Sequence, residues 1–160
     1  MEFQQRLQKA IERGQRAGVA RVQAQRDQII YEKELRRLHT QYRLELSERI
    51  ERCLKNVADQ FPGFIFECIV DERGWGGAIS RDDLRLNSSG RRSGFSRLEM
   101  LIRPFSSSHV LELTAKAAVM NREVFNRSHY HGLADADLIS FNEMMDNWTL
   151  EFAERYAGKS

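Results

Sequence analysis

The sequence predicts an α+β fold in which a long, coiled-coil-like N-terminal helix leads into an antiparallel sheet of about five strands covered by a C-terminal helix. Three observations predict this order. Residues 2–60 contain no proline and are rich in good helix formers. Residues 64–130 show runs of period-two alternation, and residues 138–156 return to helical spacing. We therefore divide the chain into a helical segment, residues 1–60, and a head domain, residues 61–160.

The N-terminal helix is predicted to end near Phe61, because Pro62 is the first proline of the chain and the residue before a proline disfavours helix. A continuous helix of this size is roughly 85–90 Å long at about 1.5 Å per residue. That length exceeds the diameter expected for the residues that follow. We therefore expect most of the helix to need a second polypeptide as its partner.

The second half of this helix carries an apolar stripe with spacings of three and four residues. The step from Tyr42 to Leu46 adds an extra four residues, a stutter that locally unwinds a left-handed supercoil. Cys53 and Val57 continue the stripe. The residues that we predict to form an oligomer interface are Tyr31, Leu35, Leu38, Tyr42, Leu46 and Ile50.

The first half of the helix has a different pattern. Phe3, Leu7 and Ile11 form an apolar stripe, and small residues such as Gly14 and Gly18 follow it. Small residues spaced by four allow two helices to approach closely. Each interior glycine also costs about 1 kcal/mol of helix stability relative to alanine, so a weak helix is the alternative interpretation.

The residues after Pro62 predict the strands of the sheet. The run 64–70 is rich in aromatic and β-branched residues, and the run 110–120 alternates apolar and polar side chains. Short connections between neighbouring strands indicate antiparallel pairing. The remaining predicted segments are a turn at 71–74, strands at 75–86, 95–105 and 124–130, a polar loop at 87–94 and a hairpin loop at 106–108.

The C-terminal helix is predicted from Asp135, which we interpret as its N-cap. Its apolar stripe should cover the apolar face of the sheet, giving a two-layer α+β domain. The members of this stripe are Leu138, Phe141, Met145, Trp148, Phe152 and Tyr156.

Composition bounds the classes of protein that the chain can represent. The net charge of +2 supplies no general attraction to nucleic acid or membrane, although residues 1–26 carry six Lys or Arg against two Glu, a local +4. No signal peptide or membrane-spanning run is visible, and we expect no membrane partner. Two cysteines do not make a disulfide framework. We expect a cytoplasmic protein.

Two clusters could carry chemistry. His129 and His131 share one face of a strand and could reach one metal ion, but a metal site also needs a third ligand, and surface histidines are the favoured interpretation. Asp82 and Asp83 form a paired acid beside a turn, where aspartate is common for backbone reasons. We predict neither as a functional site.

Nucleophilic and phosphate-binding motifs are absent from the sequence. Cys53 and Cys68 lie in apolar patterns and are interpreted as small buried hydrophobic residues. The glycine-rich run 74–77 lacks the Lys-Ser/Thr pair of a phosphate-binding loop. We therefore expect no enzymatic activity, with no catalytic, cofactor-binding or metal-ligating residues.

The leading hypothesis is a non-enzymatic interaction or scaffold module that binds itself as a homodimer, or another helical protein. One alternative is a nucleic-acid-associated protein, with Arg91, Arg92 and Arg97 as candidate anion contacts. Acidic residues interleave with these arginines, which favours cross-strand ion pairs instead. Another alternative is a small-ligand- or metal-binding head, with a pocket between the sheet and the C-terminal helix.

Overall fold

A computed structural model describes residues 2–87 and 90–159, apart from the side chains of residues 85–87, 91 and 92. The fold class is α+β, as predicted. A long helix comes first, an antiparallel sheet follows, and a second helix ends the chain. The elements are α1 (Phe3–Gln60), β1 (Ile65–Asp71), β2 (Gly74–Asn87), β3 (Gly90–Ile102), β4 (Val110–Val119), β5 (Arg122–Gly132), a 3-10 turn (Leu133–Asp135) and α2 (Leu138–Ala157).

Within the described residues, five strands form one sheet in the order β1-β2-β3-β4-β5, with every neighbouring pair antiparallel. The β2–β3 ladder continues to the pair Asn87–Gly90, whereas the β3–β4 ladder stops at Arg97–Ala118. The ends of β2 and β3 therefore extend beyond β4 as a two-stranded ribbon. The polar loop predicted at 87–94 is wrong for Asn87 and Gly90–Gly94, because β2 and β3 continue to pair there past the end of the β3–β4 ladder; residues 88 and 89 lie outside the described residues.

One face of the sheet forms the core. Leu98 and Ile102 of β3 and Leu111 and Leu113 of β4 are all fully buried on this face. Their neighbours in sequence point to the opposite, outer face, since successive side chains of a strand alternate. The predicted alternation of β4 is thus confirmed by its burial pattern.

Two helices cover this core face, whereas the sequence analysis assigned the cover to α2 alone. α2 packs over β4 and β5 through Phe141 and Phe152, which are fully buried. The C-terminal part of α1 lies over the other strands. Its Arg43 guanidinium sits 4.3 Å from the ring centre of Trp75 on β2, and His39 Nε2 lies 3.0 Å from the carbonyl oxygen of Arg103 after β3.

The chain forms two compact units, Met1–Arg37 and Leu38–Ser160, and their boundary falls inside α1. We call them the N-terminal and C-terminal units. In the C-terminal unit, Arg49 on α1 donates through one nitrogen to both carboxylate oxygens of Asp146 on α2, at 3.0 and 2.8 Å. This ion pair joins the two covering helices.

The start of α2 differs from the prediction. Asp137 is the N-cap, and its side chain accepts a hydrogen bond from the backbone N–H of Ile139 at 3.0 Å. Asp135 ends the short 3-10 turn that precedes the cap, in which Leu133 is buried. The prediction of Asp135 as the cap is therefore wrong by two residues, because burying Leu133 requires an extra turn before the helix begins.

A buried tyrosine ties α2 to β2. The hydroxyl of Tyr156 donates to Asp83 Oδ2 at 2.7 Å, and Arg81 Nε donates to Asp83 Oδ1 at 2.7 Å. Arg81 also donates to the carbonyl oxygen of Pro62, just after α1. Burial and the Asp83 acceptor together raise the pKa of Tyr156 to about 12. Asp83 is therefore a structural residue, and its neighbour Asp82 points to the other face of the strand.

We expect Tyr156 to make stability fall at high pH. A group whose pKa is raised by folding stabilises the protein fully below its unfolded value, near 10 for tyrosine, and loses that contribution as pH rises through about 12. Phenolate absorbance should show a component with a midpoint near pH 12 that disappears in Tyr156→Phe. A titration unchanged by Tyr156→Phe would contradict this assignment.

Substitution of Ile50 tests whether the second half of α1 belongs to the core. Because Ile50 is fully buried within one chain, Ile50→Ala should lower the free energy of unfolding by about 2–5 kcal/mol. Leu44 is 56% exposed on the same helix, and Leu44→Ala should cost less than about 0.5 kcal/mol. Denaturant unfolding measures both. If the loss of unfolding free energy in Ile50→Ala disappeared when the protein was diluted, Ile50 would lie in an interface between chains instead.

Candidate interaction surfaces

The N-terminal unit carries an apolar stripe along α1. We name it the N-terminal stripe. Its members recur with spacings of four, four and three residues, and Gln25 occupies the remaining position. Eleven residues make three helical turns with a drift of only about 20°, so the stripe stays within an arc of about 100°. The members are Phe3, Leu7, Ile11, Gly14, Gly18, Val22 and Ile29.

The large side chains of the N-terminal stripe are exposed. Phe3 is 73% exposed, and Leu7, Ile11, Val22 and Ile29 are each between 46% and 59% exposed. Scattered exposed apolar residues are normal, but a row of them on one helix face makes that face a candidate interaction surface. This surface lies upstream of the interface predicted from the sequence.

The predicted interface residues fall into two groups in the structure. Tyr31 is exposed, and Leu38 and Tyr42 are half-buried. Leu35, Leu46 and Ile50 are buried within the single chain, at 5%, 1% and 0% exposure. The last two are reassigned to the core of the C-terminal unit. The periodic pattern locates a buried helix face there, and the cover of that face is the chain's own sheet.

Basic residues flank the N-terminal stripe on one side. Arg6 and Arg13 are one heptad apart and therefore lie one above the other along the helix, next to Phe3 and Leu7. Lys9 lies further round the helix, away from the stripe. The stripe is thus an amphipathic surface with a positively charged edge.

A groove opens between α1 and α2 in the C-terminal unit. Its volume is about 530 Å³, within the range of ligand and peptide sites. Leu150 stands at the groove and is 66% exposed, so apolar surface continues to the rim. The sequence analysis expected a pocket between the sheet and the C-terminal helix, and this groove lies between the two helices instead. Its lining residues are Cys53, Asn56, Val57, Gln60, Phe61, Asp146, Thr149, Leu150 and Ala153.

The two cysteines differ from each other. Cys53 is half-buried in the groove wall, with its thiol 3.8 Å from Asp146 Oδ1. Burial raises the pKa of the Cys53 thiol, and the Asp146 carboxylate adds to the rise. Cys68 lies on the edge strand β1 and is exposed, so the prediction that it is buried is wrong. An edge strand lies at the margin of the covering helices, which leaves this apolar run open to solvent.

The candidate anion contacts have separate outcomes. Arg97 donates to Glu67 Oε1 at 2.6 Å and to Glu99 Oε1 at 3.2 Å on the outer face of the sheet. A guanidinium held by two carboxylates offers little net charge to a phosphate. The side chains of Arg91 and Arg92 lie outside the described residues. Arg97 thus belongs to a network of cross-strand ion pairs.

The histidine pair is brought together as predicted, with the ring centres of His129 and His131 4.7 Å apart. Both rings pack edge-on against Phe141, and His129 Nε2 lies 3.1 Å from Ser140 Oγ. Burial lowers the pKa of His129, and the neighbouring His131 lowers it further. Across residues 2–87 and 90–159, no group of three His, Cys, Asp or Glu side chains is placed to hold a metal ion. The contacts of the two histidines with Phe141 pack α2 against β5.

The groove between α1 and α2 is not predicted by the sequence pattern. Leu150 carried the available signal, because it falls outside the apolar stripe of α2 and is a large apolar residue on the polar side of that helix. The pairing of α1 with α2 depends on contacts between residues about ninety positions apart in sequence, such as Arg49 and Asp146. Local periodicity does not report such contacts.

Comparisons with protein-family models, curated proteins and solved structures find no match to this chain. Neither described helix contains a stretch apolar enough to cross a membrane.

Thiol chemistry should separate the two cysteines. Since a raised pKa lowers the fraction of reactive thiolate at a given pH, Cys53 should react more slowly than Cys68 with a thiol reagent at neutral pH. Stopped-flow labelling of Cys53→Ser and Cys68→Ser isolates each thiol. Equal rates in the two variants would show that Cys53 does not lie in the groove wall.

Proposed function

We propose that this protein is a non-enzymatic interaction module that self-associates through its N-terminal helix, with the C-terminal unit as the folded platform. The observation that carries the proposal is the N-terminal stripe. Five large apolar side chains stand on one face of a helix and are exposed in the single chain. Covering this face removes apolar area from water, which gives a favourable free energy of about 25 cal/mol for each Å² covered.

We propose a homodimer in which the N-terminal stripe of one copy packs on the surface of the other copy. This packing includes a coiled-coil-like contact of α1. Dimers related by a twofold axis are the commonest assemblies of identical chains. The eleven-residue spacing favours a nearly straight or slightly right-handed packing of helices over a left-handed supercoil. A second helical protein with a complementary groove is the other partner class that this surface fits.

We also place the protein in the cytoplasm. Cys53 and Cys68 are free thiols on separate elements, and free thiols are usual where glutathione and thioredoxin keep cysteines reduced.

Ile11→Asp tests the proposal, with Val19→Asp as the matched control. Val19 is 71% exposed on the same helix and lies outside the arc of the N-terminal stripe, about 80° round the helix from Ile11. Placing a carboxylate in the interface should raise the dimer dissociation constant at least about tenfold, whereas Val19→Asp should leave it within about threefold. Sedimentation equilibrium across a micromolar concentration series measures both.

Circular dichroism should show the same helix content for the two variants. A wild-type chain that sediments as a monomer throughout the series contradicts self-association. Equal weakening by Ile11→Asp and Val19→Asp would mean that the N-terminal stripe is not the contact.

A further inference from the structure

The α1–α2 groove has the shape and lining to accept one face of another helix. Along α1 it runs from Cys53 to Gln60, with Phe61 just beyond the helix, and along α2 from Asp146 to Ala153, about two helical turns on each wall. The wall residues are mostly apolar, and the polar side chain of Thr149 is already bonded to the carbonyl oxygen of Met145. Such a groove takes apolar side chains spaced by one turn, as amphipathic helices present them.

The N-terminal stripe presents such side chains. Leu7 and Ile11 are one turn apart on the same face, and both are about half exposed. Two apolar side chains at this spacing match a groove of about 530 Å³ that is open to solvent. The chain therefore contains both an exposed apolar helix face and an open groove whose size suits side chains at that spacing.

Two copies could pack stripe on stripe or stripe on groove, and the charges of the two surfaces favour one of these arrangements. Residues 1–26 carry a net +4, so packing one N-terminal stripe on another brings two positive segments together. α2 presents the exposed carboxylates of Glu143 and Glu154 beside the groove, whereas its Asp146 and Glu151 are already paired with Arg49 and Arg127. On α1, Arg52 and Asp59 beside the groove offset each other. Opposite potentials favour the stripe on the groove, and like charges disfavour the stripe on itself.

We propose that residues 3–13 of one protomer dock as a helix in the α1–α2 groove of a second copy, with Leu7 and Ile11 inside the groove. Arg6 and Arg13 then lie along the acidic side formed by Glu143 and Glu154 of α2. Two such contacts related by a twofold axis close the dimer. This proposal rests on the proposed self-association and specifies which surface receives the stripe.

Disulfide trapping in the full-length chain tests the docking, because Cys53 lies in the groove wall. In a Cys68→Ser background, Leu7→Cys and Ile11→Cys each add one thiol to the stripe, and Val19→Cys adds one outside the arc of the stripe, about 80° round the helix from Ile11. A disulfide forms only when the two Cα atoms come within about 7 Å. We expect Leu7→Cys or Ile11→Cys to give a covalent dimer joined through Cys53 on oxidation, and Val19→Cys to give none.

Light scattering and peptide mapping of the same samples separate the outcomes. A dimer linked between two stripe cysteines, a dimer without any link to Cys53, or a link to Cys53 within one chain overturns the docking while leaving self-association in place. A monomer in light scattering overturns both the docking and the proposed function.

Charge reversal supplies a second readout of the same contact. Arg6→Glu combined with Arg13→Glu should raise the dimer dissociation constant about tenfold, and adding Glu143→Arg and Glu154→Arg should restore it. The matched control is Lys9→Glu with Arg16→Glu, which makes the same charge change about 60° further round the helix from the stripe. Equal weakening by the control pair, or no restoration by the α2 reversals, overturns the docking.

Discussion

Covering one apolar face of a five-stranded sheet is the constraint that organises the C-terminal unit. Strands lie about 4.8 Å apart, so the outer strands of this sheet are separated by about 19 Å, whereas one helix with its side chains is about 10 Å across. A single helix therefore leaves about half of the face in water. α2 covers β4 and β5, and the last turns of α1 cover the remaining strands.

This constraint explains why α1 has two roles. In the part of α1 that begins at Leu38, the apolar face packs on the sheet, and Leu46, Ile50 and Leu54 are buried in the core. Before Arg37 the helix continues into a separate unit with its own apolar stripe. The spacing of apolar residues is similar in both parts. The difference between the buried face and the exposed stripe lies in what covers each face and not in the helix pattern.

The groove follows from the same arrangement. Two helices laid side by side on a sheet touch where Arg49 meets Asp146, and they leave apolar side chains such as Val57 and Leu150 along the furrow between them. The ion pair joins the helices at one end of this furrow, and the furrow stays open beside it. Glu143 and Glu154 on α2 are opposite in sign to the net charge of the first 26 residues.

The apolar and polar periodicities by themselves determined the class of fold, the order of the elements and the alternation of β4, because these depend on neighbours within a few residues. The bounds of α1 and the stripe of α2 followed for the same reason: proline ends a helix, and spacings of three and four define its face.

Tertiary structure decided what touches what. The cover of Leu46 and Ile50, the capping of α2 by Asp137, the exposure of Cys68 and the ribbon at Gly90–Gly94 all depend on partners that are distant in sequence. A periodic apolar row shows that a helix face needs cover, but hydrophobic burial has no direction and names no partner. Only the packing of α1 and α2 on one sheet shows which part of that row the chain covers by itself.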